Sequence, residues 1–411
     1  MKRFFLSVLA LAALALTSCD RGESAVKDGG LAYTDGAASF SRPGGSGGGQ
    51  GGGGSLAGKV TAGEWNDLAH WAFWSNLMLS RAGQDQGGEA VDFPAMCDYW
   101  RFYTNNRVAV SVKSGQGTPV AGARVLLTQG GQTVWKAVTD NAGRADLWVS
   151  LSQKAELQDA QGLALTVNDE PLQGAVKLTP WDATADVALN EVVVSNVPPV
   201  SMQADIAFIV DATGSMSDEI AFLKADLLDV LKRTSGQQIA VALRTAAVFY
   251  RDQGDDYLTR GIDFSTDPSN TVDFIRQQYA DGGGDYPEAV HTALEVSLSE
   301  LSWDEGARTR LAFMLLDAPA HQDVQGVVES LQKSIRTYAA KGIRLIPVAS
   351  SGVDKYTEFM LRFFAISTGG TYVFLTNDSG IGGDHITATV GEYKVELLSD
   401  LLVRLIGEYT K

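Results

Sequence analysis

The stretch ADIAFIVDATGSMSDEIAFLK, residues 204–224, decides the fold of the C-terminal half of this chain. An apolar strand at 206–210 runs into a polar turn at 211–215, and an amphipathic helix follows. Oxygen-bearing side chains occupy alternate positions of the turn: Asp211, Thr213 and Ser215. Open α/β sheets bind ligands beyond the carboxyl ends of their parallel strands, and hard cations prefer oxygen ligands. The turn is therefore a candidate site for Mg2+.

Strand and helix patterns alternate from residue 203 to residue 411. Apolar runs predict strands at 206–210, 241–250, 259–264, 311–316, 343–348 and 371–375. Amphipathic spacing predicts helices at 218–233, 272–279, 287–301, 327–340, 356–366 and 393–409. This alternation predicts an α/β domain with a doubly wound, mostly parallel, Rossmann-like sheet that helices cover on both faces.

The turn at 211–215 resembles the Asp-x-Ser/Thr-x-Ser signature of the von Willebrand factor type A domain, and the alternation resembles the architecture of that domain. The family binds partners through a cation in its metal-ion-dependent adhesion site. The resemblance implies that Asp211, Thr213, Ser215 and Asp317, which directly follows the strand at 311–316, bind Mg2+, Ca2+ or Mn2+. The competing interpretation is that the turn residues only cap the following helix.

The loop DGGGDYPEAV, residues 281–290, departs from the family pattern because Asp285 stands where a threonine ligand is usual. It resembles a bacterial subgroup with a Gly-Gly-Asp-x-Pro-Glu loop and a Tyr-Arg-Asp segment, here residues 250–252. If Asp285 joins Asp211 and Asp317 at the ion, the three carboxylates over-neutralise it, and we expect tight metal retention and little preference for an acidic ligand. Alternatively, Arg251 pairs with Asp285.

Other polar residues near these strand ends are expected to support the site without touching the ion. They are Arg251, Asp252, Glu288 and His321. None of them belongs to a recognisable catalytic motif, so the sequence favours a binding protein over an enzyme. A structural domain with a vestigial metal site and, less favoured, a metal-dependent hydrolase are the alternatives.

In residues 107–195 apolar side chains recur at every second position of short segments, and glycine-rich turns separate these segments. This pattern predicts a β-sandwich. Predicted strands include 107–114, 123–129, 132–140, 143–151, 163–167, 174–180 and 186–194. The runs TPVAGARVLL and VTDNAGRADL resemble the carboxypeptidase regulatory-like sandwich. The resemblance implies a spacer or an adhesion module.

Residues 56–106 are predicted to form a helical, aromatic segment that packs on the sandwich, with helical spacing across 62–79. Trp65, Trp71 and Trp74 fall close together, which permits either core packing or carbohydrate stacking; packing is the favoured interpretation. Cys97 lies among aromatic residues and is expected to be a buried, unreactive thiol.

The first 18 residues have a basic start and a short apolar run, as a signal peptide has. The following LTSC, residues 16–19, resembles a bacterial lipobox, which implies lipidation of Cys19 after cleavage. An ordinary signal peptide with a chance cysteine is the alternative. Residues 19–55 are rich in glycine and read as a flexible tether. The expected location is the bacterial cell envelope, with the chain held by its lipid anchor alone.

The net charge of −16 excludes the basic surface that binding to nucleic acid requires. Two cysteines, Cys19 and Cys97, are too few for a disulfide framework or a cysteine-rich zinc site. The sequence therefore predicts a lipid-anchored protein that binds a protein ligand through a divalent cation.

Overall fold

The computed structural model describes residues 58–79, 83–84, 90–154, 160–179, 186–236 and 241–411. The predicted signal peptide, the lipidation site at Cys19 and the predicted tether up to residue 55 lie outside this part of the chain. Every helix within the described residues is too short or too polar to cross a lipid bilayer.

The N-terminal segment combines short strands with two helices. Its elements are β1 (Thr61–Trp65), α1 (Trp71–Leu79), β2 (Gly83–Gln84), β3 (Ala90–Val91) and α2 (Phe93–Trp100). The prediction of a helix across 62–79 is wrong for its first residues, because β1 is extended and pairs with the main sheet. Asn66 begins the turn between β1 and α1 by accepting a hydrogen bond from the Ala69 amide at 3.0 Å.

The tryptophans of this segment are buried, so core packing is the correct interpretation and carbohydrate stacking is wrong. Trp71 and Trp74 are 3% and 0% exposed. The Trp74 ring packs against both Phe93 and Phe359, with ring centroids 5.7 Å and 6.0 Å away. Cys97 is buried as expected, and burial raises the pKa of its thiol to about 12.

The middle region forms two small sheets. Its strands are β4 (Arg107–Ser114), β5 (Arg124–Gln129), β6 (Gln132–Val138), β7 (Arg144–Trp148), β8 (Leu163–Val167), β9 (Glu170–Pro171) and β10 (Leu189–Val194). One sheet has the order β10-β4-β7 and the other the order β6-β5-β8-β9. Buried side chains of both sheets, such as Val110 and Leu127, belong to one hydrophobic core, as in a β-sandwich.

The predicted strand at 174–180 is wrong for the residues described there, 174–179, which are not extended into a sheet. The side chain of Asn190 takes the place of a partner strand. Its Oδ1 accepts a hydrogen bond from the Lys177 amide at 2.8 Å, and its Nδ2 donates to the Lys177 carbonyl at 2.9 Å. The main-chain amide and carbonyl of Lys177 are thus satisfied without a ladder.

The C-terminal region alternates strands and helices as predicted. Its strands are β11 (Ser201–Asp211), β12 (Ala242–Tyr250), β13 (Thr259–Ser265), β14 (Ala307–Leu316), β15 (Ile343–Ala349), β16 (Tyr372–Leu375) and β17 (Glu396–Leu397). Its helices are α3 (Ile220–Gly236), α4 (Pro268–Gln277), α5 (Val290–Ser299), α6 (Val327–Lys341), α7 (Lys355–Thr368) and α8 (Leu398–Thr410). Two 3-10 turns lie at Gly214–Asp218 and Asn377–Ser379.

Eight of the described strands form the main sheet, in the order β13-β12-β11-β14-β15-β16-β1-β17. Five neighbouring strands of this sheet are parallel: β12, β11, β14, β15 and β16. This confirms the predicted mostly parallel sheet. The strands β13, β1 and β17 pair antiparallel with their neighbours at the two margins. The strand β1 therefore belongs to this sheet although it precedes the sandwich in sequence.

Alternate residues of the central strand β11 point into two different cores. Ile206, Phe208 and Val210 pack with helices α3, α4 and α8. Ala207 and Ile209 pack into the other core, which includes α5, α6, α7 and the middle region. Both faces of the sheet are thus covered, so its functional groups can reach solvent only at the strand ends.

Candidate metal centre

Two neighbouring parallel strands bring the first pair of predicted ligands together. Asp211 is the last residue of β11, and Asp317 follows the last residue of β14. The strands pair in register up to Val210 and Leu315. Both carboxylates therefore lie at the same carboxyl edge of the sheet, where the sequence predicted them.

The turn after β11 is held by Asp211 itself. Its Oδ1 accepts hydrogen bonds from the amide and the hydroxyl of Thr213, at 2.9 Å and 2.7 Å. The Thr213 hydroxyl also lies 3.2 Å from that of Ser215. Thr213 makes no side-chain capping bond to the 3-10 turn that follows, so its hydroxyl is not used as a helix cap. Asp211 and Thr213 are buried and Ser215 is exposed, so the turn is open to solvent on one side.

The glycine-rich loop lies directly against this turn. The Gly214 amide donates a hydrogen bond to the Gly282 carbonyl at 3.1 Å, and the Asp281 amide donates to the Ala212 carbonyl at 3.0 Å. A Cβ on Gly214 would lie 2.8 Å from the Gly282 carbonyl oxygen, closer than real contacts allow. Glycine at 214 is therefore required by the close approach of the two main chains.

Glu288 is a third buried carboxylate at this edge. Its amide donates to the Pro319 carbonyl at 2.8 Å, and the residue forms an isolated parallel bridge with Ala320. These contacts fix it beside the segment that follows Asp317, and it is only 2% exposed. The sequence predicted a supporting role for Glu288, and the structure places its buried carboxylate close enough to Asp211 and Asp317 for their charges to interact.

Burial and mutual repulsion disfavour the charged forms of these acids. Burial raises the pKa of Asp211 to about 6 and that of Asp317 to about 7, and the charge of Asp211 adds to the effect at Asp317. For Glu288, burial and the charges of Asp211, Asp252 and Asp317 raise the pKa to about 9. Without a cation, these three acids are therefore harder to ionise than ordinary carboxyl groups.

Three carboxylate oxygens at this edge are buried without a hydrogen-bond partner: Asp211 Oδ2, Asp317 Oδ1 and Glu288 Oε2. An unsatisfied buried acceptor costs about 1–3 kcal/mol, and more when it is charged. A divalent cation at this edge would relieve their repulsion, but as the side chains stand it would contact only part of the set, because the three carboxylates do not all bring an oxygen within 4.8 Å of the others. The carboxylate and hydroxyl oxygens present are the donor type that the cation of such a site takes.

The remaining predicted residues lie beside this set and not within it. Asp285 is exposed, and its carboxylate groups with Asp252 and His321, with one ligand atom from each lying within 4.8 Å of the others. Arg251 lies near Asp281, with Nη1 3.9 Å from Oδ2, in place of the suggested pair with Asp285. The Arg251 guanidinium also donates to the Ala212 carbonyl at 3.1 Å, which supports the turn.

Sequence reasoning missed a buried pair behind Asp317. His385 Nε2 lies 2.8 Å from Glu219 Oε1, and the Ser351 amide donates to the same oxygen at 3.1 Å. The charge of Glu219 contributes to the raised pKa of Asp317. His385 follows Glu219 by 166 residues, so no local pattern connects the two.

Residues 205–343, about a third of the chain, match the family model of the von Willebrand factor A domain. The match contains the turn at 211–215, the loop at 281–290 and Asp317. The predicted type A domain is therefore confirmed for this segment, and such domains commonly mediate protein interactions.

Among curated proteins, the chain is similar to an ariadne-like RING finger protein of Acanthamoeba polyphaga mimivirus, with 30% identity over 190 residues. The aligned part is 42% of this chain and 18% of that protein, so the chain spans less than a fifth of its relative.

Among solved structures, the conserved hypothetical protein BatB from Bacteroides thetaiotaomicron has a TM-score of 0.35 and 12% identity, over 50% of this chain and 98% of that one. Proximal thread matrix protein 1 from the mussel byssus has a TM-score of 0.32 and 16% identity, over 41% of each chain.

Proposed function

We propose that this protein binds a protein partner through a divalent cation held at the carboxyl edge of its main sheet. The observation that supports this most directly is the set of three buried carboxylate oxygens without partners, on Asp211, Asp317 and Glu288. Mg2+ is the preferred cation because every candidate ligand is an oxygen, and Ca2+ or Mn2+ are the alternatives.

Each ligand has a distinct part in this proposal. Asp211 orients the ion and fixes the turn, while Thr213 and Ser215 offer hydroxyl oxygens. Asp317 and Glu288 supply negative charge from the buried side. Because Ser215 is exposed, the partner approaches from its side and fills a position that the protein leaves open.

In the cell we propose an envelope lipoprotein, anchored at Cys19, that acts in adhesion or in assembling an envelope complex. The LTSC sequence and the glycine-rich stretch up to residue 55 support this location. The middle region, similar in sequence to carboxypeptidase regulatory-like sandwiches, serves as a spacer or a second adhesion surface. We propose no catalytic role, because the candidate ligands lie in no recognisable catalytic motif.

Cation-dependent capture of partners tests this proposal. The full-length protein and its Asp211→Ala and Glu300→Ala variants are immobilised and exposed to an envelope extract, with Mg2+ or with EDTA. Glu300 is an exposed acid at the end of α5, and its replacement serves as the matched control. Partners should be retained by the wild type and the control in Mg2+, and released by EDTA or by Asp211→Ala. A partner held equally well in EDTA would instead support a structural domain with a vestigial site.

A further inference from the structure

A second group of metal-ligating side chains lies beside the candidate site. Asp252, Asp285 and His321 each present one ligand atom, and the three atoms lie within 4.8 Å of one another. It is the one such group of three or more histidine, cysteine or acidic side chains in the described part of the chain. The residues come from three separate loops, so the fold and not local sequence brings them together.

Two of the three side chains are held before any ligand binds. Asp252 is 6% exposed, and its Oδ1 lies 2.8 Å from His321 Nε2. Asp255 connects the loops, because its carboxylate accepts hydrogen bonds from the Asp252 amide at 3.0 Å and the Gly283 amide at 2.9 Å. This clamp keeps the loop that carries Asp285 close to Asp252. Asp285 itself is exposed, so a cation can reach this group from solvent.

A buried carboxylate at the edge of the first site also lies near this group. Glu288 is 2% exposed, and its Oε2 is buried without a hydrogen-bond partner. Its main chain is fixed to Pro319 and Ala320, in the segment that leads to His321. Its carboxylate lies close enough to Asp252 on one side, and to Asp211 on the other, for their charges to interact. Glu288 therefore carries an unsatisfied buried oxygen near both groups.

The donor types of the two groups differ. The first group offers only oxygens, which suit Mg2+, whereas the second adds an imidazole nitrogen to carboxylates. Imidazole with carboxylates suits Zn2+ or Mn2+. We propose that Asp252, Asp285 and His321 bind a second divalent cation, of the Zn2+ or Mn2+ type. This site goes beyond the proposed adhesion site.

Zinc binding in the presence of excess Mg2+ tests the second site. The full-length protein, freed of any affinity tag, is titrated with Zn2+ against a chromogenic chelator. The wild type should bind one Zn2+ at this site. His321→Ala and Asp285→Asn should each weaken binding at least about tenfold, since even residues that only support a metal ligand cost 10–100-fold. Because Asp285 is exposed, we expect Asp285→Asn to fold. This variant still tests the site if His321→Ala fails to fold.

The variant Asp211→Ala separates the second site from the first. It should lose the response to Mg2+ and retain the Zn2+ affinity of the wild type within about threefold. The proposal is overturned if the wild type binds no Zn2+, if His321→Ala and Asp285→Asn bind as tightly as the wild type, or if Asp211→Ala also loses Zn2+. In the last case one shared site, and not two, would be present. If the adhesion proposal fails, Asp211→Ala will instead capture the partner as well as the wild type does.

Discussion

The guanidinium of Arg362 holds the carboxylate of Asp67 at two points, with Nε 2.9 Å from Oδ2 and Nη2 2.6 Å from Oδ1. Both side chains are buried, and the indole of Trp65 donates a third hydrogen bond to Asp67 at 3.0 Å. Asp67 follows β1, whereas Arg362 lies in α7. The pair therefore connects the N-terminal segment to the C-terminal sheet and its helices.

Removing one partner of this pair should destabilise the whole fold. In Asp67→Ala the buried Arg362 charge keeps only Glu358, 3.4 Å away, and the Thr389 carbonyl as partners. We therefore expect the free energy of unfolding to fall by at most about 3–5 kcal/mol, the cost of a buried charge with no partner. Urea unfolding followed by circular dichroism measures this. The matched control is Glu329→Ala, which breaks the exposed pair with Arg101 and should leave the urea midpoint unchanged. Equal midpoints for the two variants would show that the buried pair does not stabilise the fold.

Cations should stabilise the native protein through the first site. Binding to the native state alone adds RT ln(1 + [L]/Kd), so a millimolar cation at a micromolar site adds about 4 kcal/mol. We expect Mg2+ to raise the melting temperature of EDTA-treated protein, and Asp211→Ala to abolish the rise. Glu300→Ala should keep the full response. A rise of the same size in Asp211→Ala would place the bound cation elsewhere.

The metal-free protein should lose stability as the pH rises. The pKa values of Asp211, Asp317 and Glu288 are raised from 3.8, 3.8 and 4.5 to about 6, 7 and 9. The native state therefore keeps protons that the unfolded chain has released, and the free energy of unfolding falls between about pH 4 and pH 9. Each retained proton contributes up to about 1.4 kcal/mol per pH unit.

Replacing Glu288 by glutamine isolates its share of this effect. Glu288→Gln in EDTA should flatten the decline between pH 6 and pH 9, and Glu300→Gln should leave it unchanged. Saturating Mg2+ should reduce the slope in the wild type, because the cation stabilises the charged carboxylates. Urea midpoints measured across the pH range test both expectations. A wild-type slope that matches that of Glu288→Gln would mean that Glu288 does not titrate in this range.

The main-chain contact at Gly214 gives a steric prediction. In Gly214→Ala the new Cβ meets the Gly282 carbonyl, so the turn and the glycine loop must separate. We expect a loss of about 1–3 kcal/mol and weaker Mg2+ binding. Gly284→Ala, in the same loop but facing open space, is the control and should alter neither. Thermal melts with and without Mg2+ measure both effects, and equal behaviour of the two variants would contradict the contact.

The order of elements from β11 to α8 could be predicted from sequence because each strand and helix carries its own period. The turn at 211–215 and Asp317 could be located because strand ends of a parallel sheet meet at one edge. The segment Thr61–Trp65 could not be assigned to that sheet, because five residues carry too little periodicity and their partner strand lies at Tyr372–Leu375.

The sequence also could not predict which side chains of the site lie together. Asp285 and Glu288 are three residues apart in one loop, yet one is exposed beside His321 and the other is buried near Asp211 and Asp317. The difference arises from the main-chain bonds that fix Glu288 to Pro319. Loop residues have no period from which their direction could be read.

The position of β1 in the sheet constrains when the chain can finish folding. Thr61 and Thr376 lie side by side, 315 residues apart in sequence, with hydroxyls 2.8 Å from each other. A ribosome that adds 5–20 residues per second needs roughly 15–60 s to cover that interval. During synthesis β1 therefore has no partner strand until residues 372–375 have been made, so strands near the end of the chain complete the sheet to which β1 belongs.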